Sequence, residues 1–204
     1  MDLKVNNLGK KYEGNWIFRN INLSVISGSK VLIKGRNGSG KSTFAKAVSG
    51  LILPSEGTVS YSVNGKEIAA EQAYQQIQLV GPYVDLIEDF TLQEFLSFHA
   101  KFKPFIQGMS IADVVAAGNF TGQQEKYLRH FSSGMKQRVK ILLALFTSCP
   151  LVILDEPTSN LDEWGVEWYL SLVNDNAKDK TILVCSNNAQ QEAAFCTESI
   201  SMEV

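Results

Sequence analysis

The chain has 204 residues, a formal net charge of −2 and 45% hydrophobic residues. This length suits one domain, or one domain with a small lobe, and it provides enough residues for a substantial core. The charge argues against a nucleic-acid partner, because no excess of lysine and arginine is present to neutralise phosphates. The three cysteines form no C-x-x-C pair and indicate reduced thiols rather than a disulfide framework.

No segment approaches the roughly 18 consecutive apolar residues that a membrane-spanning helix needs. Residues 1–12 alternate polar and apolar side chains and lack the apolar stretch of a signal peptide. We therefore expect a cytoplasmic protein without direct insertion into a membrane. Any role at a membrane would come through a partner.

The first third of the chain has the alternating pattern that is typical of β-strands. Candidate strands cover residues 3–8, 17–26, 30–34 and 58–63, and glycine-containing turns separate them. Asn64-Gly65 follows the last of these strands and predicts a tight hairpin. We therefore expect an antiparallel β portion beside the remainder of the core.

A glycine-rich segment, GRNGSGKST, follows the strand at residues 30–34 and precedes a helix-periodic stretch at residues 44–52. Its spacing, G-x-x-x-x-G-K-[ST], is typical of a phosphate-binding loop, in which backbone N–H groups converge on phosphate oxygens. The lysine can reach the β and γ phosphates, and the serine hydroxyl is placed for Mg²⁺. The residues that we expect to contact a nucleoside triphosphate are Gly35, Asn37, Gly38, Ser39, Gly40, Lys41, Ser42 and Thr43.

The pattern changes to helical between about residues 85 and 148. Thr91 and Glu94 have the spacing of a capping box, and the apolar positions that follow recur at helical intervals. A second helix is predicted over residues 111–117. We interpret this stretch as a helical subdomain inserted into a single domain whose core comprises residues 1–84 and 149–204.

Two acidic residues end the next strand. The apolar run at residues 151–154 leads directly into Asp155 and Glu156. Because ligands of α/β folds bind at the carboxyl edge of the sheet, Asp155 would hold Mg²⁺ and Glu156 would orient an attacking water. An ordinary solvated turn is the alternative interpretation of these two carboxylates.

Three further motifs resemble those of one known family, the ABC-type ATPases. Phe131 to Met135, with the sequence FSSGM, resembles the family's signature sequence, and residues 159–162 resemble its D-loop, which ends at Asp162. Tyr12 lies where the family places an aromatic residue that stacks on adenine, although nearby Trp16 could be confused with it. The motifs occur in the family's order along nearly the whole chain, which is identified as a member on this basis.

The resemblance implies an α/β fold with a P-loop NTPase core, an N-terminal antiparallel β portion and an inserted helical subdomain. It also implies ATP and Mg²⁺ as ligands, hydrolysis of ATP to ADP and phosphate, and a head-to-tail pair of identical chains. In such a pair Ser132, Ser133 and Gly134 would meet the γ-phosphate bound by the other copy, at the positive end of a helix. A plain serine helix cap is the alternative for this segment.

Two residues that the family usually carries are absent. Pro82 stands where the family has a glutamine, so an amide link to Mg²⁺ and water is lost. Asn187 stands where the family has a histidine, and its amide can donate a hydrogen bond but cannot titrate near neutral pH. The expected catalytic residues are Glu156, Lys41 and Asn187, and hydrolysis is expected to be slow or dependent on a partner.

We considered three functions. The first is the ATP-hydrolysing subunit of a transporter, attached to the inner face of the membrane by a separate membrane-spanning subunit. The short length and the signature of this chain resemble those of the ATP-binding subunits of exporters, including the heme-exporter type. The second is a soluble ABC-type ATPase that acts as an assembly or regulatory factor. A small-molecule kinase is disfavoured, because it would need neither the signature nor the D-loop.

Overall fold

The computed structural model describes residues 1–202, which form two β-sheets and the helices that pack around them. In chain order the strands and helices are β1 (Asp2–Tyr12), β2 (Asn15–Val25), β3 (Lys30–Lys34), α1 (Lys41–Val48), β4 (Glu56–Val63), β5 (Lys66–Ile68), α2 (Ala70–Ala73), β6 (Ile77–Val80), α3 (Leu92–Phe102), α4 (Ile111–Ala117), α5 (Ser133–Phe146), β7 (Leu151–Asp155), α6 (Glu163–Asn176), β8 (Thr181–Ser186), α7 (Ala189–Glu192) and β9 (Glu198–Ser201). Short 3₁₀ turns lie at Tyr74–Gln76 and Leu128–His130.

The N-terminal sheet is antiparallel, as the sequence predicts. Its four strands lie in the order β2-β1-β4-β5. The hairpin between β4 and β5 turns at Asn64 and Gly65, whose φ angles are 52° and 75°. Two successive positive φ angles are characteristic of a type I′ turn, which explains why an Asn-Gly pair stands here.

The second sheet is parallel and has the order β6-β7-β8-β3-β9. Every residue of β7 and β8 is buried, as expected for strands whose two faces are both covered. The carboxyl ends of β3, β7 and β8 meet at one edge, where the phosphate-loop segment and Asp155 emerge. The short edge strand β9 was not predicted, because its mostly exposed residues give little hydrophobic signal.

The predicted capping box is confirmed. The Thr91 hydroxyl accepts a hydrogen bond from the Glu94 amide at 3.2 Å, and the Glu94 carboxylate accepts one from the Thr91 amide at 2.8 Å. The helix that these residues begin, α3, packs with α4 around a second hydrophobic cluster that includes Leu96, Val114 and Phe120. Within residues 1–202, no helix has the length and apolar character needed to cross a bilayer.

Helix α5 connects the two parts of the molecule. Leu142 and Phe146 pack in the cluster formed with α3 and α4, whereas Ile141 and Leu145 pack against the parallel sheet. The predicted boundary at residue 148 therefore places α5 in the helical subdomain, although α5 also packs in the core. The subdomain boundaries remain a prediction.

The imidazole of His99 is held inside the helical part. Its Nε2 lies 2.8 Å from the Thr147 hydroxyl, and its ring stacks on Phe105 with the centroids 5.9 Å apart. Burial, aided by the charge of Lys103, lowers the pKa of His99 from 6.5 to about 4. The folded protein therefore holds this ring in the neutral form.

The pKa of His99 predicts a loss of stability in mild acid. Between pH 6.5 and about 4 the unfolded chain takes up a proton that the folded chain does not, so acidification favours unfolding. One pKa unit corresponds to about 1.4 kcal/mol, and discounting for partial exposure leaves about 1–2 kcal/mol for this group. The free energy of unfolding, measured with urea, should therefore decrease as the pH falls across this range. The slope of this pH dependence should be smaller in His99→Gln. His130→Gln, on an exposed turn, should keep the slope of the parent.

Candidate functional site

The glycine-rich segment forms a loop between β3 and α1, as the sequence predicts. Gly40 has a φ of 90° and precedes the first residue of α1, so the loop leads directly into the helix N-terminus. The Lys41 ammonium folds back and donates hydrogen bonds to the carbonyls of Gly35 at 2.8 Å and Arg36 at 3.1 Å. The loop and helix thus present free backbone N–H groups and one lysine to the same space.

One cavity joins the loop to the acidic end of β7. It is lined by Ile17, Asn37, Gly38, Gly40, Lys41, Ser42, Thr43 and Glu156. Ile17, on β2, was not among the predicted site residues, because an apolar strand position gives no sequence signal for a ligand. The loop residues Gly35 and Ser39 line a neighbouring cavity.

Asp155 is fully buried, and neither of its carboxylate oxygens has a hydrogen-bond partner within the described residues. Burial raises the pKa of Asp155, and the Ser42 hydroxyl and the Lys41 ammonium oppose this effect. A buried carboxylate without partners is costly unless a cation compensates its charge. Divalent cations such as Mg²⁺ prefer oxygen ligands, so Asp155 and Ser42 fit such an ion.

Glu156 occupies a strained backbone position at the end of β7. Its φ is 48°, in the left-handed region that residues with a side chain rarely adopt. Its backbone N–H donates to the Cys185 carbonyl of β8 at 3.0 Å, which fixes the turn. Strain of this kind is concentrated at functional sites, where the surrounding structure maintains it. The solvated-turn alternative does not account for a glutamate held in this way.

Asn187 follows β8 and reaches the phosphate loop. Its side-chain amide donates a hydrogen bond to the Asn37 side chain at 2.6 Å. The structure therefore brings the predicted catalytic asparagine to the loop, 150 residues away in sequence.

A buried glutamate supports the turn that carries Asn187. The Glu192 carboxylate accepts hydrogen bonds from the Ser186 hydroxyl and from the Thr158 hydroxyl, the latter at 2.7 Å. Its backbone carbonyl accepts from the Tyr169 hydroxyl of α6 at 2.8 Å. Sequence reasoning missed Glu192, because a glutamate in a polar stretch carries no sign that it is 5% exposed.

The signature segment lies at the start of α5. Ser132 caps the helix, and its hydroxyl accepts a hydrogen bond from the Met135 amide at 3.2 Å. A Cβ on Gly134 would lie 2.8 Å from the Asn160 carbonyl oxygen, so only glycine allows the predicted D-loop to pack here. Asp162 caps α6 by accepting from the Gly165 amide at 2.8 Å. Ser132 is thus the cap of α5, which is the alternative interpretation of this segment.

The signature and the phosphate loop do not share a cavity within one chain. The signature cavity is lined by residues 132–135, Arg138, residues 160–162, Trp164 and Gly165, and none of these belongs to the loop. The structure thus unites the signature with the D-loop on one surface. The loop, Glu156 and Asn187 form a second, separate group.

Tyr12 ends β1 beside the turn to β2. Its ring is 48% exposed, and the Lys10 ammonium lies 4.9 Å from its centroid. The competing aromatic, Trp16, has the Arg19 guanidinium 4.4 Å from its own ring. Tyr12 does not line the cavity at the phosphate loop. Its role as an adenine platform remains a prediction.

Comparison with known proteins identifies the family. A family model described as "ABC transporter" matches residues 18–159. The chain belongs to the ABC transporter family. Among curated members, it is 27% identical over 98% of its length to an uncharacterized ABC transporter ATP-binding protein, YybJ, of Bacillus subtilis (strain 168), and it covers 92% of that protein. It is also 32% identical to the cytochrome c biogenesis ATP-binding export protein CcmA of Agrobacterium fabrum, over 85% of this chain and 82% of CcmA.

Solved structures of ABC proteins have the same fold. An ATP-binding subunit of an ABC transporter superposes with a TM-score of 0.83 at 28% identity, covering 98% of this chain and 85% of that one. The ATP-binding cassette MJ0796, solved as a dimer bound to ADP and phosphate, gives a TM-score of 0.82 at 24% identity, over 98% and 93% of the two chains. The expected fold class and ABC-type ATP-binding domain are confirmed.

The contact between Gly134 and Asn160 predicts that the signature tolerates no added side chain. Gly134→Ala would place a Cβ 2.8 Å from a backbone oxygen, so α5 or the D-loop must shift. We expect a loss of about 1–3 kcal/mol in the free energy of unfolding, measured by urea titration. Ser133→Ala changes the exposed neighbouring residue and should stay within about 0.5 kcal/mol of the parent. Equal stabilities of the two variants would show that the contact between Gly134 and Asn160 can accommodate a Cβ.

Proposed function

We propose that this chain is the ATP-hydrolysing subunit of a transporter, working as a head-to-tail pair bound to a separate membrane-spanning subunit. The observation that carries the proposal is the buried Asp155 carboxylate, which has no hydrogen-bond partner within residues 1–202 and lies beside a phosphate loop and a strained Glu156. Family membership supports ATP binding, and the arrangement of the carboxylates supports hydrolysis.

Each residue of the cavity has a part in this reaction. The loop N–H groups and Lys41 bind the β and γ phosphates, and Ser42 and Asp155 hold Mg²⁺. The bound cation neutralises charge on the phosphates. Glu156 orients the attacking water, and the Asn187 amide donates a hydrogen bond to the γ-phosphate. Tyr12 is the proposed stacking surface for adenine, by contacts of its exposed ring.

The second copy is required because one chain keeps its signature away from its phosphate loop. The first turn of α5 carries no acidic residue, so its N-terminus offers an uncompensated positive dipole to an anion. Ser132, Ser133 and Gly134 of one copy would complete the phosphate site of the other. Pro82 and Asn187 support slow hydrolysis, since Pro82 lacks the amide of the usual glutamine and Asn187 cannot carry the charge of the usual histidine.

The names of similar proteins favour transport over a role as a soluble regulatory factor. Similar proteins include the lantibiotic transport ATP-binding protein SrtF of Streptococcus pyogenes, 29% identical over 91% of this chain, as well as CcmA. The name of the second describes an export protein, which supports export as the direction. We place the chain in the cytoplasm, held at the inner face of the membrane by its partner. A soluble ABC-type assembly factor is the alternative.

The role of Glu156 predicts a separable loss of turnover. Glu156→Gln keeps the shape of the side chain but removes the negative charge that orients water, so phosphate release should fall at least about 100-fold. ATP affinity, measured with a fluorescent analogue, should stay within a few-fold of the parent. Size-exclusion chromatography with ATP should show a dimer that persists.

Glu163→Gln is the matched control, because it changes an exposed glutamate in the first turn of α6. It should hydrolyse ATP at the rate of the parent. Unchanged phosphate release by Glu156→Gln would refute the catalytic assignment.

The membrane partner predicts conditional membrane association. The chain should sediment with membranes when it is expressed together with a multi-span membrane protein encoded beside it, and should stay in the supernatant when expressed alone. Immunoblots of the two fractions measure this partition. A chain that remains in the supernatant in both cases favours the alternative of a soluble factor.

A further inference from the structure

Tyr83 presents an unexplained hydroxyl beside the carboxylate of the site. It follows Pro82, which is exposed and has no N–H to donate at the place where ABC-type ATPases carry a glutamine. The Tyr83 hydroxyl oxygen is buried and has no hydrogen-bond partner within residues 1–202. Buried polar groups are nearly always paired, so an unpaired one calls for an explanation, such as a partner that arrives with a ligand.

Lys46 contacts the Tyr83 ring, and hydrogen bonds to Gly81 fix the turn that carries it. The Lys46 ammonium of α1 lies 3.8 Å from the centroid of the Tyr83 ring, which is a close cation–π contact. The carbonyl of Gly81 accepts from the Val84 amide at 3.1 Å and from the Lys140 ammonium at 3.4 Å, which fixes the turn that carries Tyr83.

The same turn brings the ring against Asp155. A Cβ on Gly81 would lie 3.1 Å from the Cζ of Tyr83 and 3.2 Å from the Cβ of Asp155. The two side chains therefore approach one point that a Cβ on Gly81 would crowd. A phenol is protonated at neutral pH, so the Tyr83 hydroxyl can donate a hydrogen bond.

Both buried groups thus lack a hydrogen-bond partner within residues 1–202, and both approach the same point beside Gly81. A phenol is a donor and an ionised carboxylate is an acceptor, and a hydrogen bond to a charged group is stronger than one between neutral groups. Building on the proposed function, we propose that Tyr83 is a positioning residue whose hydroxyl donates to Asp155 when ATP and its divalent cation bind, and so aims that carboxylate at the cation.

The test separates cation binding from nucleotide binding. Mn²⁺ serves as the probe, and electron paramagnetic resonance measures its affinity for the parent and Tyr83→Phe in the presence of a non-hydrolysable ATP analogue. Loss of one hydrogen bond to a charged group should weaken Mn²⁺ binding by about 5- to 30-fold. Affinity for the analogue in EDTA should change less than about two-fold. Tyr74→Phe, at an exposed tyrosine, should match the parent in both measurements.

Thermal unfolding without nucleotide distinguishes positioning from a structural role. Because the Tyr83 hydroxyl has no hydrogen-bond partner in the described part of the chain, Tyr83→Phe should unfold at the same temperature as the parent or higher. A lower melting temperature would overturn the proposal, as would unchanged Mn²⁺ affinity or an equal loss of analogue affinity in EDTA. Failure of the parent itself to bind Mn²⁺ with the analogue would instead refute the proposed function.

Discussion

The Asp155 carboxylate is buried and has no hydrogen-bond partner among the residues that the structure describes, and its burial constrains the rest of the site. It stands at the end of β7, between β6 and β8, where main-chain pairing on both sides keeps the strand from relaxing. Such a group destabilises the folded protein unless a cation compensates its charge. The phosphate loop, Asn187 and Tyr83 all reach the same sheet edge, because they follow β3, β8 and β6, which are strands of one parallel sheet. Parallel strands thus gather the site around one uncompensated charge.

Much of this arrangement could be predicted from sequence, because the signals are local. The phosphate loop needs glycines and a lysine at fixed spacing, and Thr91 with Glu94 satisfies one helix end within four residues. The apolar runs of β7 and β8 predict burial on both faces, and the acids after β7 must then lie at the carboxyl edge. The order of the motifs was enough to identify the family.

The remainder depends on packing between distant segments. Nothing in the sequence around Tyr83 shows that its ring approaches Asp155, because the position of the ring depends on Lys46 in α1 and on Lys140 in α5. The sequence around Glu192 does not reveal its buried hydrogen bonds either, since its partners Thr158 and Ser186 lie in other segments of the chain. The dual packing of α5 also escapes a division by sequence, because a helix that is apolar on most sides can contact two cores at once.

Glu192 has a mechanical consequence. Its carboxylate ties the end of β8 to Thr158, and its carbonyl is held by Tyr169 of α6. Asp162, the cap of α6, lies on the surface that also carries the signature. The turn with Asn187 and this surface are therefore joined through buried hydrogen bonds of one side chain and one carbonyl. A displacement of the Asn187 turn would strain these hydrogen bonds and so act on α6.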